Sequence, residues 1–382
     1  MEPILYIGIA QSFFAGFLIA TKKQQHLADR ILAAWLFLIG IFLASSLLRL
    51  HFGGIYLESL ELVIIPFTYG PFLYLYVKTI ISEEAHFKKR YFLHFLPFFF
   101  FSGMFITFWQ NHQHFTSEEF FRNDDYLFFR LFYGISFVIS IVWYSARSIR
   151  LLQEHARNLH HHFSYTSEKI TLRWLKLVAG SFTLAYALVV ITGSFNAFSG
   201  IRVFQPTVFS YIGLTFFTYA FSFFGFRQPA IFHDTPPTGE IPASDSSPVK
   251  AAKNETRYER SGLKKKDAKR YLSLLLAHMD EQKPYLNNEL TIQHLAQQLD
   301  IPRHYLTQVI NEELGKNFYT FVNEYRIREV QQRMIDPRYE HFTLLALAYD
   351  AGFNSKSAFN LVFKNLTGQT PTQWRETQPG RS

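Results

Sequence analysis

Two helical stretches in the last quarter of the chain carry polar side chains at a spacing that gathers them on one face. In the first these are Arg303, His304, Thr307, Gln308 and Asn311. In the second they are Lys356, Ser357, Asn360 and Lys364, with Ser355 heading the helix as its cap. Residues three and four apart are neighbours on a helix surface, so each set forms one strip. Amides, hydroxyls, imidazole and cationic groups on such a strip hydrogen-bond base edges and phosphates when a helix enters the major groove. Phosphate contacts position a protein, and base-edge contacts specify the sequence. Catalytic chemistry has no comparable pattern here. The chain lacks HExxH, a P-loop, a Gly-rich nucleotide fingerprint and a carboxylate pair within its apolar segments. It has no cysteine for a disulfide or a thiolate metal site, and the run His160–His162 lacks the companions of a metal site. The reading is therefore no enzyme, no cofactor and no metal.

The flanking residues supply the elements that hold these strips. Thr291 suits an N-cap, and Ile292, Leu295, Ala296 and Leu299 recur as a buried stripe behind it. Asp300 takes a tight turn, adopting left-handed backbone at some cost. Pro302 starts the next helix, with Leu306, Val309, Ile310 and Leu314 inside. Gly315 suits the stop, and Asn317 caps a longer helix through Phe321, Tyr325 and Val330 to about Met334. The plan then recurs from Thr343 to Arg375. Leu344, Leu347 and Ala348 pack a first helix, Gly352 turns, Phe353 fills the corner, and Phe359, Val362, Phe363 and Leu366 line a second helix. At a constant offset Val309 matches Val362, Ile310 matches Phe363, Gly315 matches Gly368 and Phe321 matches Trp374. A leading helix from about Lys266 to Glu281 carries Tyr271, Leu272, Leu275, Leu276 and Met279 on one side.

The run GFNSKSAFNLVFKNLTGQTPTQWR resembles the signature of the AraC-type transcription regulators, with its Gly-Phe turn, Phe-x-x-x-Phe-Lys helix and Gly-x-Thr-Pro ending. The resemblance covers about Lys266 to Glu376. It implies an all-helical domain that places two recognition helices in successive major-groove segments on one face of double-stranded promoter DNA. By position it assigns base reading to His304, Thr307 and Gln308 in the first helix. In the second it assigns Lys356, Ser357, Ala358, Asn360 and Leu361. Pro302 departs from the family's frequent capping serine, and Ala358 and Leu361 offer only apolar contacts, for example to a thymine methyl.

Ahead of residue 227 the composition changes character. The 43 Phe and 21 Tyr of the chain are concentrated there in long apolar runs. A helix of about 18 or more apolar residues spans a bilayer core. Seven runs are candidates: Ile4–Ala20, Ile31–Leu48, Leu60–Ile81, Tyr91–Trp109, Tyr126–Ser145, Leu172–Gly193 and Thr207–Phe226. The loops after the first, third and fifth carry Lys22, Lys23, Arg30, Lys88, Lys89, Arg90, Arg147, Arg150, Arg157 and Lys169. The intervening loops carry only Arg49, Arg122 and Arg202. That bias predicts an outside N-terminus and a cytoplasmic C-terminal region, and the resemblance to AraC-type regulators implies the bacterial inner membrane.

PFTYGPFLYLYVK in the third run resembles a stretch of membrane-embedded AraC-type proteins of bacteria, which join a seven-helix region to this same domain. Pro66 and Pro71 interrupt helical hydrogen bonding, so Pro66, Tyr69, Pro71 and Tyr74 are candidates for binding a small-molecule or membrane-borne signal. A static kink is the alternative. His94, near the inner end of the fourth run, reads as a hydrogen-bonded structural residue.

The expected fold is therefore all-α. A seven-helix transmembrane bundle (1–226) is followed by a Pro- and Ser-rich tether (227–262) and an AraC-type domain with two helix–turn–helix units (263–382). The expected function is a one-component transcription regulator, with DNA and the bilayer as partners and a homodimer allowed. The competing readings are a transporter with an accessory DNA-binding tail, and spans that act only as an anchor. The net charge of +8 lies largely in the membrane loops. Nonspecific attraction of the tail to DNA is accordingly modest, and local placement of charge must carry binding.

Overall fold

A backbone surrounded by apolar side chains must satisfy its own N–H and C=O groups, and a helix does so within one segment. The computed structural model describes residues 2–23, 25–52, 55–82, 87–111, 124–165, 168–199, 206–228 and 263–378. Among them every regular element is a helix, and one isolated antiparallel bridge joins Phe163 to Thr291. The segment read as a tether lies outside the described residues apart from Arg227 and Gln228. By contacts the chain divides into two units: Met1–His155 with Leu172–Thr238, and Ala156–Thr171 with Gly239–Ser382.

In the first unit lie α1 (Glu2–Ala20), α2 (Leu27–Phe52), α3 (Ile55–Ile80), α4 (Leu96–Asn111), most of α5 (Leu127–His162), α7 (Arg173–Ser199) and α8 (Pro206–Arg227). The short α6 (Glu168–Thr171) belongs to the second unit. Helix α1 packs on α2 and α8, α2 on α3, α3 on α4, and α7 on α8. Trp35 is the centre of this packing. Its ring lies 4.9 to 6.1 Å from those of Tyr69, Phe72, Phe182 and Phe221, so α2, α3, α7 and α8 meet there. Phe14, Phe17, Ile139, Leu177 and Phe216 are at least 60% exposed. Apolar surface on this scale marks a face that contacts something other than water.

Five of the described helices, α1, α2, α5, α7 and α8, are long and apolar enough to cross a membrane, rather than the seven expected. The fourth run falls short because Lys89–Phe95 winds as a 3-10 turn and leaves α4 only 16 residues. Pro97 explains the change. It has no N–H for the Leu93 carbonyl, which instead accepts from the N–H of Leu96. The third run forms α3, but the side chains of its first part, 55–63, lie outside the description. Within the described part, α3 continues through both Pro66 and Pro71.

The second unit contains α9 (Lys265–Glu281), α10 (Ile292–Leu299), α11 (Arg303–Glu313), α12 (Phe318–Ile335), α13 (Leu344–Asp350), α14 (Lys356–Thr367) and α15 (Pro371–Glu376). The caps expected at Thr291, Asn317 and Ser355 form, and two more form at Thr343 and Thr370. Thr291, Asn317, Thr343, Ser355 and Thr370 each accept a backbone N–H at the head of the following helix. Two apolar cores form. Leu275, Met279, Leu295, Leu306, Ile310 and Phe321 build the first, and Val330, Leu347, Phe353, Phe359, Val362 and Phe363 the second. Helix α12 links them, with Val322 and Tyr325 in the first core and Ile327 and Val330 in the second. Leu299 and Leu314 are half-buried at the edge of the first core. Leu366, expected inside, is 41% exposed, while Trp374 from α15 packs 6.0 Å from Phe363.

Candidate nucleic-acid interface

Each helix–turn–helix unit holds its second helix by an apolar stripe and a left-handed turn. In the first, Asp300 (φ +51°) turns the chain between α10 and α11, and Leu306, Val309 and Ile310 seat α11. In the second, Gly352 (φ +95°) turns it, and Phe359, Val362 and Phe363 seat α14. Burying one stripe leaves the opposite face of each helix outward.

On α14 the outward face is open. Lys356, Ser357, Asn360, Leu361 and Lys364 are exposed, while Ala358 and Ser355 are half-buried. The Ser355 hydroxyl is occupied in accepting the Ala358 N–H at 3.2 Å, so its role is capping. Leu361 is 61% exposed between polar neighbours, which places an apolar contact within the strip. On α11, His304 is exposed, and Arg303, Thr307, Gln308 and Asn311 are half-buried. Two of these side chains are engaged within the helix. Thr307 Oγ1 donates to the Arg303 carbonyl at 2.9 Å, and Gln308 Nε2 donates to Glu312 Oε2 at 3.0 Å. Gln308 must give up that bond to reach a base. The charges of the two helices also differ. Helix α11 carries Arg303 against Glu312 and Glu313, whereas α14 carries Lys356 and Lys364 and no acid. Helix α14 is therefore the better surface for a polyanion.

Sequence reasoning missed the polar residues that hold the two helix–turn–helix cores of the C-terminal unit together. Arg326, on α12 between the two cores, is 1% exposed. Its Nε donates to the Tyr285 carbonyl (2.8 Å). Nη1 donates to the Ser164 carbonyl (2.8 Å) and Asn323 Oδ1 (3.3 Å), and Nη2 to the Asn287 carbonyl (2.7 Å) and Ser164 Oγ (3.0 Å). All five guanidinium N–H groups are thus satisfied. Burial pulls the Arg326 guanidinium down to about 10, and it remains charged at neutral pH. One helical turn on, Glu329 accepts from Lys283, Tyr285 Oη and Arg333 at 2.9 to 3.0 Å. Burial pushes the Glu329 carboxyl up, but these three donors outweigh it and hold it below the ordinary value. One signal was available: Asn323, Arg326 and Glu329 recur every third residue along a helix whose other inward positions are apolar.

The four ligand-binding candidates of the first unit are not gathered into one site. Pro66 and Pro71 are buried within α3. Tyr69 turns toward Trp35 (6.0 Å between rings) and Phe182 (6.3 Å), whereas Tyr74 faces His94 (5.2 Å), Trp143 (5.8 Å) and Tyr144 (6.0 Å). Five residues on a helix rotate a side chain far enough to separate them. His94 holds Tyr144 by two contacts of 3.2 Å, one through Nδ1 and one through its carbonyl, the structural role expected of it.

Residues 295–377 match the family described as a helix-turn-helix domain. An uncharacterized HTH-type transcriptional regulator of Staphylococcus aureus strain COL is 30% identical over 95 residues, covering 25% of this chain and 12% of that protein. Counterparts in strains MSSA476 and N315 match to the same extent. The match therefore spans only about an eighth of the relatives' length. No solved structure matches the chain.

Proposed function

We propose that the chain is a membrane-anchored transcription regulator of AraC type that reads promoter DNA through α11 and α14. The observation that carries this is the pair of outward polar strips on two helix–turn–helix units held by one linker helix, α12. The relatives are described as transcriptional regulators, which agrees with that use of the fold. The DNA-reading residues are Arg303, His304, Thr307, Gln308 and Asn311 on α11, and Lys356, Ser357, Ala358, Asn360, Leu361 and Lys364 on α14, with Ser355 as the cap.

Selection from a random-sequence duplex pool by the full chain in lipid nanodiscs should return a site with two half-elements about one helical turn apart. On that site Lys356→Ala should weaken binding by about 1–3 kcal/mol, the range of a good base contact. Gln308→Ala should cost less, because Gln308 must first leave Glu312. Unchanged affinity in both variants, measured by fluorescence anisotropy, would remove these residues from the interface.

The bundle is proposed to lie in the bacterial inner membrane with the N-terminus outside, on the strength of the basic bias in alternate loops. A reporter active only in the cytoplasm should be active when fused after Phe226 or between Arg147 and Lys169. It should be silent when fused near Phe115 or Ser199. The reverse pattern would keep the helix–turn–helix units away from DNA and end the regulatory reading.

Signal sensing by the bundle is the finer part of the proposal. It is supported by Trp35 Nε1, Tyr69 Oη and Tyr186 Oη, buried polar atoms without a partner among the described residues. An unpaired buried donor costs about 1–3 kcal/mol, which a hydrogen-bond acceptor from a bound molecule would recover. Within the ligand set Pro66, Tyr69, Pro71 and Tyr74, this favours Tyr69. A homodimer is compatible with this reading.

A further inference from the structure

Residues 156–171 comprise the last turns of α5 and the segment after it, yet they cluster with the C-terminal unit. The contacts are specific. Phe163 is buried at 4% exposure and pairs in an antiparallel bridge with Thr291. The Ser164 N–H and hydroxyl both donate to the Leu290 carbonyl, at 3.2 and 2.6 Å. The Ser164 carbonyl accepts from Asn323 Nδ2 (3.1 Å) and Arg326 Nη1 (2.8 Å), and its hydroxyl accepts from Arg326 Nη2 (3.0 Å). The His160 ring lies 4.6 Å from that of Tyr319, one turn before Asn323 on the same helix. None of these contacts touches the outward strips of α11 or α14.

We propose that residues 156–165 form a clasp that grips the linker helix α12 at Arg326 and thereby sets how the two helix–turn–helix units are seated on each other. Three features make this a coupling device rather than a chance contact. First, α5 is one continuous helix from Leu127 to His162 and delivers Phe163 and Ser164 directly at its end. At about 1.5 Å per residue such a helix is roughly 54 Å long, and its backbone stays regular up to Phe163. Second, Arg326 is the joint between the two cores. It bonds the Tyr285 and Asn287 carbonyls ahead of the first unit, and its Nε lies against Gly352 in the turn of the second. Third, release leaves no stranded charge. Without Ser164 each guanidinium nitrogen keeps one partner, namely the Tyr285 carbonyl, Asn323 Oδ1 and the Asn287 carbonyl. Water can take the two vacated N–H groups, so docked and undocked states are both accessible. The chain then returns through Leu172, a fully buried residue held at φ +49°. A non-glycine residue stays in that region only where its surroundings enforce it.

The absence of native cysteine makes the test direct. Phe163 and Thr291 are flanked rather than joined by the Ser164–Leu290 bond, so they form a close pair of the kind a disulfide spans. In the full chain in native membranes, Phe163→Cys with Thr291→Cys should form an intramolecular disulfide on mild oxidation. Phe163→Cys with Ser273→Cys should not. In nanodiscs, Ser164→Ala and Phe163→Asp should each speed amide exchange several-fold in 285–290 and 319–326, while 356–367 keeps its protection. Absence of the disulfide, or unchanged exchange in both variants, overturns the clasp. The consequence for DNA rests on the proposed function and is read separately. Phe163→Asp should lower affinity for the selected duplex about tenfold, an ordinary coupling between sites, and leave affinity for a scrambled duplex unchanged. Equal affinity for the selected duplex would overturn the seating role. A wild-type chain that bound no duplex would remove the DNA reading and leave the disulfide and exchange results to decide the clasp.

Discussion

Gly352→Ala should destabilise the C-terminal unit by about 3 kcal/mol or more, whereas Gly368→Ala should cost only about 1 kcal/mol. Both glycines have positive φ, +95° at Gly352 and +77° at Gly368, so both variants incur a backbone penalty. The difference is what an added methyl would meet. At Gly368 there is open space within 4 Å, while at Gly352 the methyl would collide with the Tyr285 carbonyl oxygen and stand 2.9 Å from Arg326 Nε and 3.0 Å from the Leu286 carbonyl oxygen. Two of these are backbone atoms that cannot rotate away. The methyl would also wedge apart the bond from Arg326 Nε to the Tyr285 carbonyl. Urea unfolding followed by amide exchange within 263–378 measures both variants, and equal losses would refute the crowding at Gly352. A domain's whole stability is about 5–15 kcal/mol, so the larger loss would leave a substantial unfolded fraction.

Arg326→Ala should be comparably severe, at about 3–5 kcal/mol. Truncation removes five hydrogen bonds, takes the guanidinium from the Tyr285 carbonyl and leaves the Asn287 carbonyl only the Leu290 N–H (3.3 Å) at the junction of the two cores. Arg326→Lys keeps the charge but should recover less than half of the loss. A single ammonium cannot reach acceptors arranged around a planar five-donor fork. Full recovery by lysine in the same exchange measurement would mean that the site needs a charge rather than a geometry.

Much of the C-terminal unit was readable from local pattern, because its helices obey local rules. A threonine, asparagine or serine ahead of an apolar stripe became a cap at Thr291, Asn317 and Ser355, and Thr343 and Thr370 cap in the same way though the sequence reading did not name them. Residues at helical spacing became the buried stripes of α11 and α14 and left the polar strips outward. Leu366 failed the rule and is exposed, while Trp374, from the next helix, packs on Phe363. In the first unit apolar length alone suggested seven spans. One missing N–H at Pro97 shortened α4 and shows how a single backbone donor can redraw a boundary that hydropathy treats as continuous.

The sequence by itself determined the helices, their caps, the turn residues and which faces point outward, because each depends on residues within about one or two turns of each other. Only the tertiary structure decided what joins them. Arg326 looks like any other charged residue beside Arg328 until the Ser164 carbonyl arrives from 162 positions away and the Tyr285 carbonyl from 41. Asn323 and Glu329 are likewise defined by Ser164, Lys283 and Tyr285. Tyr69 and Tyr74, five residues apart, were assigned to one site by proximity in sequence and were separated by the turn of their own helix. A buried polar group takes its meaning from partners that complete its hydrogen bonds, and those partners are set by packing over distances that local periodicity does not encode.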